Sequence, residues 1–196
     1  MTAVLSLFQM LIFPGFLFLI LLGLAGQFVD RKLYARFQNR VGPPWFQPVA
    51  DFFKLLGKET VIPEEADKRM FRAAPVFALG AVIASSFYIP LWNAKALLSF
   101  EGDLIVVVYL LLIPTLTFFL GGWYSRSVFS TIGAVRSITQ LFAYEIPLLI
   151  AVLSPALLAN TWSISGMIQY YSAHPGRWLF NLVGFAVAMI TLLGKL

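Results

Sequence analysis

From Val4 to Phe28 the chain carries no charged side chain, and only Ser6, Gln9 and Gln27 interrupt a run of apolar or small residues. About twenty helical residues, rising 1.5 Å each, cross a bilayer's hydrocarbon core, so this run is long enough to span. Further runs of the same kind cover Ala73–Leu91, Leu104–Leu120, Ile138–Ala159 and Trp178–Leu196. A chain built this way satisfies its backbone polar groups inside helices, because lipid offers no hydrogen bonds. The expected fold is all-α: a polytopic transmembrane helix bundle, with residues 1–196 as a single membrane domain. Composition agrees, since 60% of residues are apolar and 12% charged, about half the charged share of soluble domains. Disorder, collagen and a nucleic-acid-binding domain are excluded. The first run lacks the basic start and short apolar core of a secretory signal peptide.

Nine of the fourteen Lys and Arg lie between Arg31 and Arg72, together with Asp51, Glu59, Glu64, Glu65 and Asp67. The net charge of +5 is therefore spread through a loop of mixed sign, 29–72, and makes no uniform polyanion-binding patch. Five spans put Arg126, Arg136 and Lys195 on the side of that loop, twelve basic residues against Lys95 and Arg177 on the other. The positive-inside rule then predicts a cytoplasmic loop, an external N-terminus and a multi-pass protein of the cell (plasma) membrane. Trp92, Trp123, Trp162 and Trp178 fall at the ends of the runs and Trp45 in the loop, the aromatic-belt pattern of lipid headgroup regions.

Without cysteine and with His174 as its one histidine, the chain has no ligands for thiolate-held iron–sulfur clusters or multi-histidine metal sites. No metal site, nucleophile–base pairing or phosphate-binding glycine loop is found, and no cofactor or catalytic residue is expected in it. Within the loop, Gly42-Pro43-Pro44 predicts a turn. Beyond it Val49, Phe52, Phe53 and Leu56 recur at helical spacing, while Gln47, Asp51, Lys54 and Lys58 take the other side. Pro48 suits a first helical turn, so a short amphipathic helix is predicted, lying in the membrane surface or against partner subunits.

Glu145 is the one charge deep within a predicted span. A carboxylate there costs a few kcal/mol at least, and must find a partner, a wet cavity or a proton. Pro147 removes a backbone donor from the Ala143 carbonyl and predicts a kink. Arg136, Gln140 and Tyr144 recur every fourth residue as a polar stripe bordering Glu145. The stripe and acid read as an ion path or as interhelical hydrogen bonding; spacing leaves both open.

Three stretches resemble one family, subunit 1 of proton-pumping respiratory complex I and its membrane-bound hydrogenase relatives. In "RKLYARFQNRVGPPWFQPVADFFKLLGKE" the matching residues are Gln38, Arg40, Gly42, Pro43, Gln47, Pro48, Asp51, Lys54, Leu55, Lys58 and Glu59. The second stretch is "IPEEADKRMFRAAP". In "GWYSRSVFSTIGAVRSITQLFAYEIPL" the matches are Gly122, Trp123, Ser125, Gly133, Arg136, Gln140, Tyr144 and Glu145. The resemblance implies a membrane subunit that connects a peripheral electron-transfer arm to an ion-translocating arm in a redox-driven proton or sodium pump. It implies that Arg36, Arg40, Asp51 and Glu59 line the cytoplasmic junction, with Gln38, Lys54 and Lys58 in the same loop. Glu145, with Arg136, Gln140 and Tyr144, would belong to the ion path.

Implied partners are hydrogenase-like peripheral subunits, antiporter-like and small membrane subunits and the lipid bilayer. Iron–sulfur clusters, with a nickel–iron centre or quinone, would reside in those neighbours. The chain departs from the family in three ways. Only three residues separate Gly42-Pro43 from Gln47-Pro48, a short form that resembles the membrane-bound hydrogenases and sulfur-reducing, ferredoxin-fed complexes rather than quinone-reducing ones. Val128 stands where the family usually has lysine. The chain ends before the family's acidic loop and further helices, so it is expected to be the N-terminal part of a longer subunit. Two rival readings are a purely structural anchor for the peripheral arm and a stand-alone transporter or channel.

Overall fold

The structure, a computed structural model, describes residues 8–9, 11–13, 15–91 and 96–195. Among these residues every regular element is helical. The chain divides into two compact units, 1–61 and 62–196.

The first unit holds α1 (Phe16–Phe37) and α2 (Gln47–Leu56). The first predicted span, 4–28, lies partly outside the described residues. Its helix continues past Phe28 through Asp30–Arg36, because charge does not stop a helix once the chain leaves lipid. It ends at Gln38, and Asn39 turns the chain with a positive φ of 56°, a region asparagine tolerates better than most residues. The Gly42-Pro43-Pro44 turn folds back on α1. Gly42 has φ 75°, and a Cβ there would meet the Ala35 Cβ at 3.0 Å and Lys32 Cδ at 3.2 Å. The predicted amphipathic helix is α2, with Pro48 in its first turn and fully buried.

The second unit is a serial bundle of α3 (Lys68–Ser86), α4 (Asp103–Tyr124), α5 (Val128–Ala159), a short α6 (Ile164–Ala173) and α7 (Leu182–Lys195), with a 3-10 turn at Pro175–Asn181. Neighbours along the chain are antiparallel. The Asp67 amide, at the start of α3, donates to the Tyr124 carbonyl at the end of α4, and the Leu104 amide donates to Trp162 just past α5. Along α5 the buried alanines Ala134, Ala151 and Ala156 let neighbours approach closely, the packing that replaces hydrophobic driving force in lipid. Gly122 serves the α4–α5 corner, where an added Cβ would come within 2.9 Å of Ala134 Cβ.

Among the described residues three segments are long and apolar enough to cross a membrane: Asp103–Tyr124, Val128–Ala159 and Pro175–Leu192. They correspond to the third, fourth and fifth predicted spans. Helix α5 begins ten residues before the expected Ile138. Its early polar residues do not break it, and the Thr131, Ser137 and Thr139 hydroxyls are satisfied by carbonyls four residues earlier. Pro147 and Pro155 both lie inside it, and it is not interrupted at either. Helix α3 starts before the expected Ala73 because Asp67 caps it, accepting from the Arg69 and Met70 amides at 3.0 and 3.2 Å. It stops at Ser86, short of the expected Leu91, ahead of Pro90. Trp45, Trp123, Trp162 and Trp178 are exposed at element ends, whereas Trp92 and Lys95 lie outside the described residues.

Candidate functional site

In the first unit, a basic residue from α1 meets an acid from α2. The Arg31 guanidinium donates to Asp51 Oδ2 at 2.7 Å, and Gln47 Nε2 donates to Oδ1 at 3.1 Å. The Arg31 hydrogen bond holds the Asp51 carboxyl below its usual 3.8; the Gln47 amide and the charges of Arg31 and Lys54 act the same way, against partial desolvation. Gln27, Lys54 and Lys58 join this pair along a cleft of about 590 Å³, floored by Leu24, Pro48 and Phe52. Of the predicted loop residues, the cleft therefore gathers Asp51, Lys54 and Lys58. Arg36, Gln38, Arg40 and Glu59 are exposed and do not line it. Arg31 was missed by sequence reasoning: its partner lies twenty positions away, and no local period links them.

In the second unit Glu145 is buried, 9% exposed, on the face of α5 that also buries Ala134 and Leu141. It lies about 26 Å along the helix from Val128 at 1.5 Å per residue. The polar stripe does not share this face. Arg136 and Gln140 are exposed, and Tyr144 is half-buried. At 100° per residue, the nine positions from Arg136 to Glu145 amount to half a revolution. The structure thus separates the acid from the stripe expected to lead to it.

A second buried acid was not singled out from the sequence. Asp103, in the first turn of α4, has no exposed surface. Its Oδ1 accepts from the Ile164 amide at 2.7 Å, and its Oδ2 faces Ser99 Oγ and Ser163 Oγ at 3.3 and 3.4 Å. Glu101 alongside accepts from the Trp162 amide at 2.7 Å and from Thr161 Oγ1. The pattern Glu-Gly-Asp just before an apolar run is a helix-start signal, and it offered the one cue for a buried role.

Comparison with known proteins bears on what these acids serve. The family model described as NADH dehydrogenase matches residues 8–196. The chain belongs to that family, as a relative of complex I subunit 1. It is 36% identical over 171 residues to an NADH-quinone oxidoreductase subunit of Solibacter usitatus, covering 84% of this chain and 43% of that protein. The corresponding NADH-quinone oxidoreductase subunit of Frankia alni is 32% identical over 92% of this chain and 43% of its own length. NADH-quinone oxidoreductase subunit 8 of Thermus thermophilus is 30% identical over 83% of this chain and 48% of its own. The chain thus spans about half the length of these relatives. Family membership and the three apolar helices make this NADH dehydrogenase family chain a multi-pass membrane protein.

Proposed function

We propose that the chain works in a complex I-like, redox-driven proton or sodium pump as the membrane subunit between the electron-transfer arm and the ion-translocating arm. The observation that carries the reading is Glu145, a carboxyl buried on the packed face of a long apolar helix in a member of this family. A carboxyl so placed is costly to keep for packing alone, and it serves as the protonatable relay of the ion path. The path runs along the buried face of α5. Arg136 and Gln140, on the opposite face, contact lipid or a neighbouring subunit instead.

The cytoplasmic loop is the docking and coupling surface, with Arg31 and Asp51 as its responsive charge pair. The short Gly42–Gln47 spacing favours hydrogenase-like peripheral partners. Iron–sulfur clusters and a nickel–iron centre or quinone belong to those partners. The basic asymmetry supports a cytoplasmic loop and an external N-terminus, and the subunit works in the plasma membrane.

Glu145→Gln tests the relay, because glutamine keeps size and hydrogen bonding but releases no proton. Assembly and electron transfer to a soluble acceptor should survive while ions moved per electron fall sharply in vesicles. An unchanged ratio would return Glu145 to a structural role and leave the subunit as an anchor.

A further inference from the structure

The cleft between α1 and α2 has positive charge left over. Arg31, Lys54 and Lys58 line it against a single acid, Asp51. That acid is already engaged, by Arg31 at 2.7 Å and Gln47 at 3.1 Å. Among the described residues Lys54 and Lys58 form no ion pair. Gly57 stays in the right-handed region at the end of α2, so the two lysines emerge about one turn apart on the same side. Like charges so spaced repel each other, and one anion set between them relieves both.

The same cleft is graded in polarity. Leu24, Gln27 and Arg31 share one face of α1, and Leu24 lies about 10 Å along the axis from Arg31. Leu24 falls within the predicted span 4–28, and Arg31 just past its end. Phe52 and Leu55 continue the apolar floor on α2. A second feature sets this cleft at a bilayer surface. Val49, Phe53 and Leu56 on the other side of α2, with Trp45 and Phe46 before it, are 38–75% exposed. An interfacial helix sinks such a face into the acyl boundary, which leaves its basic side chains within reach of headgroups.

We propose that the α1–α2 cleft binds an anionic phospholipid, its headgroup between Lys54 and Lys58 and an acyl chain along Leu24, Phe52 and Leu55. The charge count selects an anionic headgroup, because a zwitterionic one carries its own cation and leaves the excess unanswered. The apolar floor selects a lipid. An acidic protein segment would satisfy the lysines alone, whereas one phospholipid covers both the lysines and the floor. Arg36, Arg40 and Glu59 do not line the cleft, so the lipid leaves them to protein partners. The site rests on the chain being a membrane protein and stands whether or not Glu145 relays ions.

The test uses the whole purified complex in phosphatidylcholine vesicles that carry a trace of photoactivatable phosphatidylglycerol. After illumination, mass spectrometry should find label between Leu24 and Lys58. Unlabelled phosphatidylglycerol should compete it away where added phosphatidylcholine does not. Lys54→Gln combined with Lys58→Gln should cut the labelling about thirtyfold, and Lys54→Arg with Lys58→Arg, which keeps both charges, should restore it. Should the glutamine pair fail to assemble, competition on the parent complex decides alone. Label that the glutamine pair leaves unchanged, that both lipids compete equally, or that falls only outside α1 and α2 overturns the site. Competition by inorganic phosphate at the same concentration overturns the lipid assignment in favour of a free anion. Label that appears only after the peripheral subunits are stripped gives the cleft to a protein segment and overturns it too. Glu145→Gln should keep the labelling, so failure here is distinct from failure of the relay.

Discussion

Asp51, midway along α2, and Asp103, at the start of α4, are both aspartates set against a second helix or its first turn, and the two units treat them in opposite ways. Asp51 stays partly open and takes a full opposite charge from Arg31. Asp103 is closed off completely and takes a backbone amide and hydroxyls. An ion pair beside water is held loosely, so Asp51 can respond when a partner or a charge arrives. A closed carboxylate bonded to another element's backbone fixes where that element begins, and moving it exposes unsatisfied donors.

The sharpest way to break this comparison is to remove Asp103's acceptor oxygens. Asp103→Ala leaves the half-buried Ile164 amide without its acceptor. It should destabilise the assembled subunit by about 2–3 kcal/mol, seen as a lower thermal midpoint, and Asp103→Asn should recover most of the loss. An equal loss in both variants would mean that charge, rather than the hydrogen bond to α6, holds the junction.

A smaller effect is expected at the α4–α5 corner. Gly122→Ala places a methyl within 2.9 Å of Ala134 and should cost about 1–2 kcal/mol. Its neighbour Gly121 has nothing within 4 Å of an added methyl. Gly121→Ala should be neutral, or stabilising by up to about 1 kcal/mol. Thermal unfolding of the pair under identical conditions tests whether that corner is tightly packed.

Topology gives a yes-or-no outcome. Cysteines at Glu64 and Ser172, both exposed, should label from opposite sides of the membrane in a chain without native cysteine. Labelling from one side would refute the arrangement.

The smallest effect belongs to Asp51. Its carboxyl titrates below 3.8 in the folded chain, so the pair's contribution is present above that value and is lost as pH falls through the lowered one. Arg31→Gln should raise the titration back towards 3.8, measured by carboxyl-directed labelling and mass spectrometry across acid pH. Stability near neutral pH should hardly change.

Much of this protein is written in local pattern. The apolar runs set the helices of the bundle, and Pro48 with the spacing of Val49, Phe52 and Phe53 marks α2, because both signals act over a turn or two of chain. Even the separation of Arg136 from Glu145 follows from helical arithmetic along one element. Helix ends were less legible. Asp67 caps α3 ahead of its apolar core, and α5 starts at Val128, ten residues before its apolar run. Only the tertiary structure joined Arg31 to Asp51 across twenty residues and Asp103 to Ile164 across sixty-one. Those partners are chosen by how the chain turns at Gly42 and by how α4 and α5 pack at Gly122. Burial and charge pairing depend on what lies opposite in space, and the helical period carries no information about that.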